Sequence, residues 1–150
     1  MLIRTHLALI VLFIILFLPH VQNQYLFVGV ALAASFIPDI DNAFSTLGSR
    51  GVFRALQFFT KHRGMIHSLT IAVLISIILA VFFPAASLAF FLGYGLHIFL
   101  DSFTKEGVAP FWPWKKVSSG FIRTGGKIEM SLFVFLILAD IAVFILVYVL

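Results

Sequence analysis

The chain has 150 residues, of which 62% are hydrophobic and 11% are charged, and its mean hydropathy is +1.15. This composition excludes an ordinary soluble domain and indicates an integral membrane protein that forms one unit over residues 1–150. The net charge is +4, but the positive-inside rule accounts for the excess of Lys and Arg, so nucleic acid is not an expected partner. Because the chain has no cysteine, His, Asp and Glu are its candidate metal ligands.

Five apolar segments are predicted to be transmembrane helices: residues 2–18, 25–37, 65–83, 85–103 and 128–150. The second is short for a full span of about 20 residues, so we expect it to tilt or to stop below the interface. The third and fourth are separated only by Pro84, which favours an antiparallel helical hairpin. The predicted fold class is an all-α, polytopic membrane helical bundle.

Two connections carry features of a membrane interface. Residues 51–61 have apolar side chains at helical spacing, with Arg54 and Lys61 elsewhere, which predicts a short interfacial amphipathic helix; an irregular loop is the alternative. The loop over residues 105–127 contains the run Phe111-Trp112-Pro113-Trp114. Such aromatic residues are typical of an interfacial anchor, and they could also cover a site as a flap.

The basic residues define a topology. All of them lie at the start of the first segment or in the second and fourth connections: Arg4, Arg50, Arg54, Lys61, Arg63, Lys105, Lys115, Lys116, Arg123 and Lys127. The first and third connections and the C-terminus carry none. The positive-inside rule therefore predicts a multi-pass protein of the inner (cytoplasmic) membrane, with its N-terminus in the cytoplasm and its C-terminus outside.

His97 and Asp101 are four residues apart at the end of the fourth segment, so they share one helical face and can bind one metal ion. Other acids and histidines fall at the same membrane face in this topology: His6, Asp39, Asp41, His62, His67 and Glu129. Ionisable groups in a membrane usually have partners and a function, so together they predict a metal site. Each also has a structural alternative, such as a helix cap or a solvated charge.

Three motifs, in this order, resemble the YdjM-like family of membrane-bound metal-dependent hydrolases. They are Pro38-Asp39-Ile40-Asp41, then His62-Arg63-Gly64 with His67-Ser68, and then Gly93-Tyr94 with His97, Asp101, Thr104, Gly107 and Pro110. Three positions depart from the pattern: Asn42 stands where the family often has His, Ile66 where Thr is usual and Lys105 where Pro is frequent. The family is remotely similar to zinc-dependent phospholipases C, and His97 and Asp101 carry that likeness.

The resemblance implies a metal-dependent hydrolase of the phospholipase or phosphoesterase type. The expected metal ligands are His6, Asp39, Asp41, His62, His67, His97 and Asp101, holding one to three divalent ions, with zinc the expected metal. Asp39 or Glu129 is expected to act as general base, and Arg63 to neutralise a phosphate unless it only sets the topology. The expected substrate is a lipid-like phosphoester or ester at the cytoplasmic face of the bilayer. A metal-ion or small-solute transporter and a non-catalytic module with a structural metal cluster are the alternatives.

Overall fold

The computed structural model describes residues 1–41, 65–114 and 116–150. Five α-helices lie in these ranges: α1 (Ile3–Phe17), α2 (Gln24–Phe36), α3 (Leu69–Phe82), α4 (Pro84–Asp101) and α5 (Lys127–Tyr148). Short 3₁₀ turns follow α1 at Leu18–His20 and α2 at Pro38–Asp41. The described ranges contain isolated β-bridges but no strand, so the predicted all-α class is confirmed for them.

Within the described ranges, three helical segments are long and apolar enough to cross a membrane: Ile3–His20, Pro84–Asp101 and Lys127–Tyr148. The prediction of five such spans is wrong in number. Helices α2 and α3 are apolar but have only 13 and 14 residues, against the roughly 20 that a span requires. The predicted interfacial helix at residues 51–61 lies outside the described residues.

Specific residues set the bounds of the two short helices. Pro38 follows α2 after one residue, and a proline has no amide proton to donate to the next helical hydrogen bond. Ser68 caps α3, because its backbone is extended and its side chain accepts a hydrogen bond from the Ile71 amide at 3.3 Å. At the other end, α3 stops before Phe83 and Pro84 opens α4, a position where proline costs no hydrogen bond.

Helix α4 is at the centre of the packing. It contacts α2 and α3 closely and α1 less extensively, while α5 packs against α1. The predicted hairpin of α3 and α4 is present, and the Ser87 hydroxyl donates to the Ser76 carbonyl across it at 2.8 Å. Helices α1 and α5 run in the same direction, because Leu2 and Thr5 bind Glu129 at one end and Ile15 binds Tyr148 at the other.

The contact between α2 and α4 depends on Gly93. A Cβ atom at this position would lie 2.1 Å from the Ala31 carbonyl oxygen, a distance that no real side chain shows. Glycine therefore allows the two backbones to approach, and the neighbouring buried residues Ala34, Tyr94 and Ile98 fill the core around them.

The loop between α4 and α5 folds back over the end of α4. The Lys105 amide donates to the Ile122 carbonyl at 2.9 Å, and Val108 and Ser118 exchange two backbone hydrogen bonds. The Pro110 carbonyl accepts from the Leu69 amide at 2.8 Å, which ties the loop to the start of α3. The loop therefore covers the end of the bundle at which α1 and α5 begin and α4 ends.

Candidate metal centre

Three histidines and two aspartates meet at this covered end of the bundle. They are brought there by different elements: His6 by the first turns of α1, Asp39 by the 3₁₀ turn after α2, His67 by the residue before the cap of α3, and His97 and Asp101 by the last turns of α4. The three histidines and Asp101 are almost fully buried, whereas the side chain of Asp39 is 21% exposed. Buried ionisable groups at this density require partners.

The ligand atoms of these residues are close to one another. The Nε2 atom of His6 lies 3.3 Å from Oδ1 of Asp101, while Oδ2 of Asp101 lies 3.6 Å from Nε2 of His67 and 3.7 Å from Nε2 of His97. The Nε2 atom of His97 also lies 3.8 Å from Oδ1 of Asp39. Two donors bound at about 2.1 Å to one tetrahedral ion are about 3.4 Å apart, so these separations are compatible with a shared ion as well as with ion pairs.

The orientation of His97 leaves one nitrogen for a metal. Its Nδ1 atom lies 2.7 Å from the carbonyl oxygen of Ser35. Because a carbonyl only accepts, Nδ1 carries the proton and Nε2 presents a lone pair toward Asp39 and Asp101. A backbone carbonyl that fixes the tautomer of a ligating histidine is a common outer-sphere partner in metal sites.

The donor set fits a divalent ion. Within the described ranges, neither ring nitrogen of His6 nor Nε2 of His97 makes a hydrogen bond of good geometry, although all three atoms are buried and close to the Asp101 carboxylate. The rings of His6 and His97 stack in parallel, with centroids 3.9 Å apart, so their edges face the same space. The ligand atoms of His6, His97 and Asp101 lie within 4.8 Å of one another, as do those of Asp39, His67 and His97. Imidazole and carboxylate ligands suit zinc and neighbouring transition metals.

Cationic and polar groups surround Asp101 on the side of α1. The amino group of Met1 donates a hydrogen bond to Oδ1 of Asp101, so this carboxylate is already paired with one cationic group. The Thr104 hydroxyl donates to the backbone carbonyl of Asp101 at 2.7 Å and fixes the end of α4. Asp101 is thus held in place through both its backbone and its side chain.

Glu129 lies beside the cluster and holds α1 in position. Its Oε1 atom accepts from the Leu2 amide at 2.6 Å and from the Thr5 hydroxyl at 2.9 Å, and its Oε2 atom accepts from the Gly125 amide at 2.6 Å. Both carboxylate oxygens are therefore engaged, and the residue belongs to neither close ligand group. This arrangement places His6, one residue after Thr5, against Asp101.

Asp39 differs from the other carboxylate in its access to solvent. Burial raises the pKa of Asp39 above its ordinary value, although the nearby His67 and His6 act in the opposite direction. A carboxylate with a raised pKa that still reaches solvent can accept and release a proton.

The structure thus brings together five of the seven predicted ligands: His6, Asp39, His67, His97 and Asp101. His62 and Arg63 lie outside the described residues, as does the side chain of Asp41. The contacts of Met1, Ser35 and Thr5 around the cluster were not predicted. Ser35 acts through its backbone carbonyl, which leaves no signal in the sequence, whereas Thr5 is a polar residue in an apolar helix and could have been noticed.

The sequence matches the model of the YdjM inner membrane protein family over residues 1–150. The chain belongs to this family. The family description and the three candidate spans together establish a membrane protein, and within this YdjM family member the His and Asp groups could hold a metal ion. No curated protein and no solved structure matches the chain.

Proposed function

We propose that this YdjM family protein is a metal-dependent hydrolase, with zinc as its ion, that cleaves a phosphoester or ester bond of a lipid-like substrate at the cytoplasmic face of the inner membrane. The observation that carries the proposal is the buried group of His6, His97 and Asp101, whose ligand atoms lie within 4.8 Å of one another. Within the described residues, both ring nitrogens of His6 and Nε2 of His97 make no hydrogen bond of good geometry. A cluster that served only to join helix ends would be expected to satisfy these nitrogens with hydrogen bonds.

Each residue of the cluster has a role in this proposal. His6, His67, His97 and Asp101 hold the ion, and the Ser35 carbonyl orients His97. A divalent ion in such a site supplies Lewis-acid activation of water and of a substrate oxygen. Asp39 accepts the proton of the attacking water at its carboxylate, because it is the most exposed acid of the cluster.

Glu129 is assigned a positioning role, since its three hydrogen bonds fix the start of α1. The use of Arg63 to neutralise a phosphate and of Asp41 and His62 as additional ligands stays a prediction from the sequence. The loop over the end of α4 limits the access of bulk water to the buried ligands.

The position of the cluster favours an amphiphilic substrate. His97 and Asp101 lie at the end of a candidate span, and His6 and Glu129 lie near the beginnings of the other two. A bond held at this level would lie at the depth of lipid headgroups, where both water and hydrocarbon are within reach.

The proposal is tested by hydrolysis assays on protein purified in detergent, with a C-terminal tag so that Met1 stays free. The panel contains bis(4-nitrophenyl) phosphate, 4-nitrophenyl esters and phospholipids, each with and without added zinc. We expect zinc-dependent turnover that His97→Ala and Asp101→Asn abolish. His20→Ala and Asp140→Asn are matched controls, because both residues lie outside the close ligand groups, and we expect them to retain activity.

Two results would contradict the hydrolase proposal. Bound zinc without turnover of any member of the panel would favour a structural metal cluster. Zinc flux into liposomes that requires His97, again without turnover, would favour a transporter.

A further inference from the structure

An apolar groove adjoins the metal centre. It has a volume of about 300 Å³, at the lower end of the range for small-molecule sites, and its lining comes from α1, α4, α5 and the covering loop. Leu9, Leu100, Leu132 and Leu136 are among the lining residues. Among the described residues no charged side chain lines it, so its chemistry suits hydrocarbon.

The packing of the helices explains the groove. Helix α1 contacts both α4 and α5, but α4 and α5 make little direct contact with each other. The gap between them forms the groove, and α1 forms its floor. These helices are the candidate membrane spans among the described residues, and when they cross a bilayer a gap between them faces lipid.

The groove leads from the bilayer to the candidate site. Met1 lines it, and the amino group of Met1 contacts Asp101. Leu9 follows His6 by three residues and Leu132 follows Glu129 by three, so the groove continues from the cluster along both helices. Leu136 is nine residues after the start of α5, which gives a depth of about 13 Å at 1.5 Å per residue.

The rim of the groove is formed by an aromatic pair. The rings of Phe99 and Phe103 meet edge to face, with centroids 5.0 Å apart, and the two residues are 51% and 40% exposed. In contrast, Leu100 and Leu136 are nearly fully buried. The lining thus passes from exposed aromatic rings to a buried aliphatic interior, and both are apolar surfaces that a hydrocarbon chain can contact.

We propose that this groove binds one hydrocarbon chain of a membrane lipid, and that the headgroup bond of the same molecule then lies at the metal centre. The assignment of that lipid as substrate rests on the proposed hydrolase function. A second, larger cavity of about 400 Å³ lies between α3 and α4, but its lining, from Val73 to Phe91, ends well before the cluster residues of α4. Of these two cavities, the groove is therefore the one that can deliver a chain to the chemistry.

The test uses the full chain in nanodiscs of phosphatidylethanolamine and phosphatidylglycerol that contain a phosphatidylethanolamine with a diazirine in one acyl chain. After irradiation, mass spectrometry locates the labelled peptides. We expect label on the groove residues of α1, α4 and α5, and we expect Leu132→Trp, which fills the groove, to lower it several-fold. Leu138→Trp is the matched control, because Leu138 lies on the same helix, outside the groove lining and 61% exposed, and its label should not change.

Equal labelling in the Leu132→Trp and Leu138→Trp variants would overturn the proposal. Leu9→Trp fills the groove from α1 and serves if Leu132→Trp fails to fold. A second copy of the chain is the competing occupant: disulfide-linked dimers of Leu132→Cys, in a chain that otherwise has no cysteine, together with absent label would also overturn it.

Turnover separates this proposal from the hydrolase proposal. We expect Leu132→Trp to raise KM for a long-chain phospholipid and to leave hydrolysis of bis(4-nitrophenyl) phosphate, which has no chain, unchanged. Groove labelling without any hydrolysis would contradict the hydrolase proposal and the substrate assignment, but it would support the lipid site. Hydrolysis together with uniform labelling would contradict the proposal that the groove binds a lipid chain, and would leave the hydrolase proposal standing.

Discussion

The orientation of His97 is set by the backbone of another helix. Its Nδ1 proton binds the Ser35 carbonyl at the end of α2, while its Nε2 atom faces two carboxylates. A ring fixed in this way needs little rearrangement to bind an ion, because the tautomer and the direction of the lone pair are already set. The chemistry of the site is therefore determined by single atoms whose separations are below 4 Å.

Mutation should distinguish the role of Asp39 from that of the metal ligands. Because Asp39 is proposed to accept a proton and His97 to hold the ion, we expect Asp39→Asn to keep its zinc and to lose about 10²-fold or more in kcat. Zinc content and kcat are measured on the same sample. Loss of zinc from Asp39→Asn in parallel with kcat would instead make Asp39 an essential ligand.

Glu129 should contribute to stability through α1. Glu129→Gln removes a charged acceptor that serves the Leu2 amide, the Thr5 hydroxyl and the Gly125 amide. We expect it to lower the free energy of unfolding by about 1–3 kcal/mol, measured by denaturation in detergent. Glu106→Gln, at an exposed residue whose bond from Thr124 is 3.4 Å long, should change it by less than about 0.5 kcal/mol. Similar values for the two variants would contradict the role given to Glu129.

At the scale of single residues, the sequence predicted a contact that is made by side chains. The spacing of His97 and Asp101 predicted a shared face, and the two side chains are indeed within 4 Å. The contact of His97 with Ser35 could not be predicted, because it uses a carbonyl that every residue possesses. The three hydrogen bonds of Glu129 could not be predicted either, since they depend on how α1 and the loop dock.

At the scale of the helices, hydropathy located each apolar segment but overestimated the number of segments that are long enough to span the membrane. The predicted segments 25–37 and 65–83 correspond to α2 and α3, which are too short for a span. Residues 65–68 are apolar in part, yet the Ser68 cap begins α3 only at Leu69. Hydropathy averages over such local hydrogen bonds, so it cannot resolve them.

The close approach of α2 and α4 links the packing of these two helices to zinc affinity, which a substitution at Gly93 can test. Gly93→Ala places a methyl group 2.1 Å from the Ala31 carbonyl oxygen, so the helices must separate and the Ser35 carbonyl must move away from His97. We expect zinc affinity to fall by about 10- to 100-fold, as when an outer partner of a ligand is lost. Gly95→Ala is the control on the same helix, because its methyl group would make ordinary contacts at 3.8 Å or more. Equal zinc affinity in the two variants, measured by isothermal titration, would contradict this coupling.

On the scale of the whole molecule, the structure places the starts of α1 and α5 and the end of α4 at one level. The sequence predicted this common face from the topology of its basic loops. The direction of the bundle across the membrane stays a prediction, since it depends on the positive-inside rule rather than on contacts between residues.

Single-cysteine labelling tests that direction. The chain has no cysteine, so Gln22→Cys and Ser119→Cys each introduce one thiol. Gln22 is exposed in the connection after α1, and Ser119 is exposed in the loop after α4, at the opposite end of the bundle. With spheroplasts and an impermeant maleimide, we expect Gln22→Cys to react and Ser119→Cys to react only after lysis. The reverse pattern would place the metal centre at the outer face of the membrane.

The zinc content of purified protein tests the central claim most directly. Wild-type protein, His97→Ala and His20→Ala are prepared without chelators and with the N-terminus free, and their metal is measured by inductively coupled plasma mass spectrometry. Because His97 belongs to both close ligand groups, we predict zinc in the wild type and in His20→Ala and its loss from His97→Ala. A wild-type protein that neither contains nor takes up a divalent ion, or a His97→Ala variant that retains the full zinc content, would contradict the metal centre.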